Sequence, residues 1–421
     1  MKNYRRHGKH SLTVVALIGA GPSGHPVSKR VLSCVVLAVW LSASLAGETQ
    51  QQKAGHYQVT LRLPPDGLYP QEEMQIEFRV EDNLRPDPLS GFAPVIRAAP
   101  EATIDMPQMP SMPRFTEIAH AEGTPGEYGF HPTFAHGGEF RLRLAIHPPA
   151  DEAFVVEFPL QVLDADKAAR RKPQPPRYSM DVSTQPRKPK AGEPVELRLV
   201  VRDRDNANAV VSAFETLHEA LLHLVIVRRD LSQFAHEHPV AGADGSFRLQ
   251  YTFAAGGDYR LFADLAPKGA GAQILAAKLS VSGSETGGFD IRKAWNESPS
   301  SFRVAGECKI ALESPRNSLP VRKTIPVVFT IQDVRTGLPV ADLQPYLGAA
   351  GHLLLVHEDA STFVHSHPDE NALENVTALP AGTLRFLARF PKPGLYRGWL
   401  QIRRGGQVLT ADILLQAGVE E

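Results

Sequence analysis

The sequence predicts an all-β protein: three consecutive immunoglobulin-like β-sandwich domains behind an N-terminal signal segment. Three observations carry that expectation. The first is composition, because 35 prolines, 33 glycines and 7% aromatic residues, with no sustained helical apolar period, favour short strands joined by turns. The second is a repeat. Tyr57–Asp82, Tyr178–Asp203 and Cys308–Asp333 have equal length and one plan: a short strand, a Pro-containing turn and an alternating strand ending in Asp. Met74, Ile76, Phe78 and Val80 answer to Val195, Leu197, Leu199 and Val201, and to Ile325, Val327, Phe329 and Ile331. Polar residues fall largely between them, which predicts one buried and one wet face. The third is a common ending. Phe134–Phe140, Phe253–Tyr259 and Phe390–Tyr396 enclose a Gly-bearing turn and lead into Arg141-Leu-Arg-Leu, Arg260-Leu-Phe-Ala and Arg397-Gly-Trp-Leu, read as a hairpin near each domain's end. Units of roughly 110 residues built this way suit a two-sheet sandwich.

In chain order, residues 1–46 read as an export leader. Arg5, Arg6, Lys9, Lys29 and Arg30 precede the apolar run Val31–Leu45, which is short for a membrane span, and Ser44-Leu45-Ala46 offers small residues for cleavage. A cleaved signal is the expectation; with an uncleaved anchor, the leader is the chain's one membrane contact. Gly19-Ala-Gly21-Pro-Ser-Gly24 resembles a dinucleotide fingerprint, but Pro26 and Lys29-Arg30 break the helix such a motif needs, so chance explains it. The first sandwich is expected over residues 47–165, a Pro-rich linker over 166–177 and the second sandwich over 178–283. A polar linker over 284–304 follows, with Trp295 and Phe302 as candidates for docking on a neighbour, and then the third sandwich over 305–421. A net charge of -1 with 22% charged residues argues against a general affinity for nucleic acid. Cys34 and Cys308 are the two cysteines, so the cleaved chain has a single thiol and no internal disulfide, and stability falls to apolar cores.

The chemistry concentrates in a hairpin that occurs twice. His223, His236 and His238 recur at the same offsets as His352, His365 and His367, and Asp230, Ser232, Phe234 and Pro239 recur as Asp359, Ser361, Phe363 and Pro368. A turn over Arg229–Ser232 sets Val227 opposite Phe234, Val225 opposite His236 and His223 opposite His238, all on one face. Opposed Cβ atoms lie about 4.5–5.5 Å apart, within reach of one ion bound at about 2.0–2.1 Å by imidazole nitrogens. The competing reading is a set of structural histidines bonded to backbone carbonyls. The two triplets are expected in separate cores, with His218 and His357 as possible additional contacts. The first repeat lacks the triplet and carries Met106, Met109 and Met112, each followed by proline. A polyproline II run would align the three thioethers, which select Cu(I); packing methionines are the alternative. His120, His131 and His136 are candidates to complete a mixed site there. Enzyme readings are weaker: Cys308 lies away from the histidines, and no Gly-x-Ser-x-Gly or His-Glu-x-x-His motif occurs.

The Met-Pro series, with Pro125-Gly-Glu-Tyr and Gly137-Gly-Glu-Phe, resembles YtkA-like secreted domains, and the later repeats resemble relatives with an H…F-x-H-x-H-P signature. The resemblance covers nearly all of the mature chain and implies an exported β-sandwich associated with heavy-metal or copper handling. The expectation is therefore a periplasmic or extracellular, non-enzymatic protein that binds copper, with zinc as the second choice, and no nucleic acid. The alternative is an envelope scaffold or adhesion protein whose sandwiches bind a protein or glycan partner.

Overall fold

The computed structural model describes residues 49–87, 91–149, 151–170, 176–284, 287–297, 302–315, 319–368 and 380–418. The predicted leader, with Cys34, and most of the Pro-rich run of the first linker lie outside the described residues. Among the described residues no helix is long and apolar enough to cross a membrane.

Among the described residues the fold is all-β, six antiparallel sheets arranged as three immunoglobulin-like sandwiches. Each of the equal-length segments folds as an antiparallel pair closed by the same end residues: Tyr57 opposite Asp82, Tyr178 opposite Asp203 and Cys308 opposite Asp333. The alternating residues between them supply the cores. Val59, Phe78 and Phe158 are fully buried in the first, Leu197, Leu199 and Leu261 in the second, and Val327, Phe329 and Leu400 in the third.

The segments read as terminal hairpins are corners instead. Strand Ser246–Thr252 belongs to one sheet of the second sandwich and strand Gly257–Pro267 to the other, and Thr383–Arg389 and Gly394–Arg404 divide in the same way. A tyrosine fixes each corner: Tyr259 Oη donates to Ala255 O at 2.8 Å, and Tyr396 Oη donates to Lys392 O at 2.8 Å. The true terminal hairpins follow, Gly257–Pro267 with Gln273–Val281 and Gly394–Arg404 with Gln407–Ala417.

The sandwiches are not independent beads. Strand Leu222–Arg228 is buried along its whole length, and so is strand His352–His357. Leu222, Leu224 and Ile226 face the core of the second sandwich, while Val225 and Val227 face outward into a further apolar cluster with Leu354, Val356, Phe363 and Trp399 of the third. A strand buried on both faces reads as a continuous apolar run, which both strands are. The two sandwiches therefore dock sheet on sheet. Phe234 stacks on Trp399 at 4.2 Å and Phe262 on Phe363 at 5.1 Å, two contacts that exchange under the repeat's own correspondence of positions. The short helix Ile291–Glu297 packs Ile291 and Trp295 against this seam, as the linker's tryptophan suggested, whereas Phe302 is 44% exposed. The first sandwich holds both others: Arg79 Nη1 donates to Glu215 Oε2 at 2.8 Å, and Thr324 N and Oγ1 both donate to Glu73 Oε1 at 2.7 Å.

Candidate metal centre

Each hairpin adopts the register that the histidine spacing requires. Val227 pairs with Phe234 and Val225 with His236 in the first; Val356 pairs with Phe363 and Leu354 with His365 in the second. His223, second in its strand, and His352, first in its own, lie two places before Val225 and Leu354 and so on the same face, and each triplet shares the outward side. Its three donor nitrogens lie within 4.8 Å of one another.

That face is the docking face, which overturns the expectation of separate cores. The triplets meet across the seam, with ring centroids 5.5 Å apart for His223 and His365, 5.7 Å for His236 and His352, and 6.0 Å for His223 and His352. The physical reason is the period-two alternation. With Leu222, Leu224 and Ile226 committed to the inner core, the histidine side must turn outward, where its neighbours are too apolar to stay in water.

Hydrogen bonds orient the rings. His223 Nε2 donates to Leu217 O at 2.8 Å and His352 Nε2 to Tyr346 O at 2.9 Å, which leaves both Nδ1 atoms bare. His236 Nδ1 donates to Gln401 Oε1 at 2.7 Å, with the Gln401 amide held by Thr410 Oγ1 at 3.3 Å, and His365 Nδ1 donates to Asp264 Oδ2 at 2.6 Å. Their Nε2 atoms are then bare as well. In both triplets two lone pairs consequently face each other across 3.2 Å: His223 Nδ1 with His236 Nε2, and His352 Nδ1 with His365 Nε2. His238 Nε2 lies 3.2 Å from His223 Nδ1, and His367 Nε2 is buried without a hydrogen-bond partner. A tetrahedral ion holding nitrogens at about 2.0–2.1 Å has N···N edges of about 3.3–3.4 Å, so the donor sets fit a transition metal. Imidazoles whose far N–H is held by a carbonyl or carboxylate are the usual orientation of metal-binding histidine.

Burial also keeps the rings neutral. Desolvation lowers His238 to about 4 and holds His236, His352, His365 and His367 well below the usual histidine value, with neighbouring imidazoles adding to the effect. Burial lifts Asp264 to about 6.

The other sequence candidates are placed elsewhere. Met109 N donates to Met106 O and Met112 N to Met109 O, both at 2.9 Å, so successive turns replace the polyproline II run, which has no internal hydrogen bonds. Met106 and Met112 pack against the first core, and Met109 is exposed. His136 Nδ1 donates to Gly137 O at 2.7 Å, apart from the pair His120 and His131. His357 is tied to Asp359 and Pro393 O near the hairpin turn. His218 does join the centre: its ring stacks on His367 at 3.5 Å, it is 7% exposed, its Nε2 has no hydrogen-bond partner, and burial lowers it to about 3. Cys308 is buried at its strand start, 3.9 Å from Arg404 Nη1.

Asp264 and Gln401 escaped the sequence reading. They occupy equivalent places, each directly opposite the first histidine of its own sheet and bonded to a histidine of the other. The available signal was a polar residue following Arg260-Leu-Phe-Ala and Arg397-Gly-Trp-Leu, each interrupting an otherwise unbroken apolar run, Leu261–Ala266 and Gly398–Ile402.

Fold and site together define a tandem β-sandwich protein with two facing tri-histidine clusters. The chain belongs to the family described as a domain of unknown function (DUF8832), whose model matches residues 177–282 and 303–418, the two histidine repeats. No curated protein matches. Among solved structures it is similar to FdeC, a broadly conserved Escherichia coli adhesin, at 16% identity over 89% of this chain and 100% of that one, with a TM-score of 0.19. It is similar to Salmonella alpha-2-macroglobulin reacted with methylamine at 13% identity, over 89% of this chain and 24% of that one, with a TM-score of 0.20. Invasin, a bacterial integrin-binding protein, matches at 12% identity over 86% of this chain and 60% of that one, with a TM-score of 0.17. At these scores the likeness carries no functional argument.

Proposed function

We propose that this is an exported, non-enzymatic transition-metal-binding protein whose two histidine triplets each hold one ion, copper first and zinc second. The observation that supports it is the pair of bare nitrogens facing each other at 3.2 Å in both triplets, with every N–H of those four rings directed to another acceptor. A structural histidine places a proton between such atoms; a metal ligand does not. All-imidazole donor sets suit copper and zinc, and copper binds more tightly in the divalent series. The resemblance to YtkA-like secreted domains agrees with export and copper handling. Methionines belong to this reading only if Met109 recruits its neighbours on binding Cu(I).

The second reading, an envelope scaffold presenting loops to a protein or glycan partner, draws support from the tandem-sandwich build and from the apolar seam in which the histidines sit. Stoichiometry separates the two. Metal analysis of the full chain after exposure to Cu(II), Cu(I) or Zn(II) and desalting is expected to find two ions per chain, fewer in His352→Ala, and two in the His357→Ala control. Absence of metal in the wild-type chain would reject the metal reading.

A further inference from the structure

We propose that the cavity where the three sandwiches meet is the inlet through which ions reach the seam, with His120, His131 and Glu122 of the first sandwich as transient ligands on the way. This rests on the metal-binding reading and assigns a role to a repeat that has no triplet of its own.

The cavity, about 400 Å³, is walled on one side by His365, His367 and Asp264 and on the other by His120, Glu122 and His131. His120 Nε2 and His131 Nδ1 lie 3.4 Å apart with rings stacked at 4.8 Å, and Glu122 Oε1 is 3.5 Å from His120 Nδ1. Two imidazoles and a carboxylate are a ligand set that transition metals accept, and an ion in transit must also be released, so the inlet is expected to hold it less tightly than the seam does. The walls offer oxygen donors to a cation: the carboxyl groups of Glu77, Glu122 and Asp264 face the space, and the guanidinium that shares it, Arg389, is engaged with Glu73.

The step from inlet to seam is marked by two buried nitrogens without hydrogen-bond partners, His218 Nε2 and His367 Nε2, on stacked rings that both line the cavity. His218 is seated by the first sandwich. A Cβ on Gly123, the residue after Glu122, would come within 2.1 Å of His218 Nε2, so the contact needs glycine there. It also breaks the pseudo-symmetry. The bridge Leu217 to Ala220 corresponds to Tyr346 to Ala349, and the position of His218 is occupied by Leu347 in the third repeat. Descent from a common repeat therefore does not account for the histidine, whereas a one-sided inlet does.

The test is the rate at which metal-free full-length protein takes up Co(II), followed by its visible absorption in a stopped-flow mixer, with ions per chain counted at the end. In His120→Ala/His131→Ala and in the near-isosteric Glu122→Gln, uptake is expected to slow at least tenfold while the final count stays at two. Uptake at the wild-type rate in folded variants overturns the inlet and leaves the metal reading standing. A wild-type count of three that falls to two in the variants overturns it in favour of a resident third site, and a count that falls from two to one overturns it by making these residues part of a triplet's own site. A wild-type chain that takes no Co(II), Cu(II) or Zn(II) rejects the metal reading and the inlet with it.

Discussion

A histidine buried without charge links stability to pH. In the folded chain the seam imidazoles have lowered values, His238 about 4 and His218 about 3, through burial first, whereas in the unfolded chain histidine titrates near pH 6.5. Above that value both states are neutral and nothing is gained or lost. As pH falls from about 6.5 towards about 4, the unfolded state binds protons that the folded state does not, so stability falls with pH. Metal-free protein is therefore expected to lose thermal midpoint steadily from pH 7 to pH 4.5, with a proton uptake on unfolding of several per chain; a flat profile would mean that the rings are already protonated in the fold. A second residue-level outcome follows from the unequal partners of the two triplets. Asp264 offers His365 a carboxylate where Gln401 offers His236 only an amide, which makes His365 the more basic ligand. Calorimetric titration should resolve two steps, with the triplet of His352, His365 and His367 filling first. Asp264→Asn should weaken that step by about 10–100-fold and merge the two.

The two docked hairpins make the seam an element-level structure, held by Phe234 on Trp399 and Phe262 on Phe363. Trp399 is 5% exposed, and its removal takes a large aromatic out of the joint. Trp399→Ala should cost about 3–5 kcal/mol in urea unfolding and loosen the first triplet's geometry, read as weaker metal binding. Phe302→Ala, on an exposed strand, should change neither. Much at this scale was legible beforehand. The pair Val227 with Phe234 follows from spacing alone, because period two and a short turn leave one register, and the repeat marks the bounds Tyr57 and Asp82 of a segment whose ends prove to pair. The Met106–Met112 turns were not legible, since proline after each methionine fits both polyproline II and a run of turns. The corners at Tyr259 and Tyr396 were misread for a related reason: a Gly-bearing turn looks the same whether the chain returns to its own sheet or crosses to the other. What could have exposed the seam was the unbroken apolar run from Leu224 to Val227, which a half-wet strand would not carry.

At the scale of the molecule, the second and third repeats relate to each other like two copies in a two-fold dimer. The hydrogen bonds that orient the triplets come in matched pairs: His236 to Gln401 answers His365 to Asp264, and His223 to Leu217 O answers His352 to Tyr346 O. An isologous interface is self-complementary by construction. A fragment of residues 177–283 would keep its own core of Leu197, Leu199, Leu224 and Leu261 and should fold as an all-β unit, but it would expose Val225, Val227 and Phe262 along with its histidines. Those side chains are buried in the full protein, and a patch of that kind seeks cover. The fragment is therefore expected to dimerise through the same face, placing His236 of each copy opposite Asp264 of the other, so that both new pairs are imidazole to carboxylate. Light scattering on a size-exclusion column, with and without Zn(II), reads the outcome. A dimer that tightens with metal and is lost in His236→Ala would show that the repeat itself encodes the paired site. A well-folded fragment that stays monomeric at high concentration, with or without metal, would instead place the specificity of the seam in the helix Ile291–Glu297 and the first sandwich, which in the full chain hold the two repeats from outside.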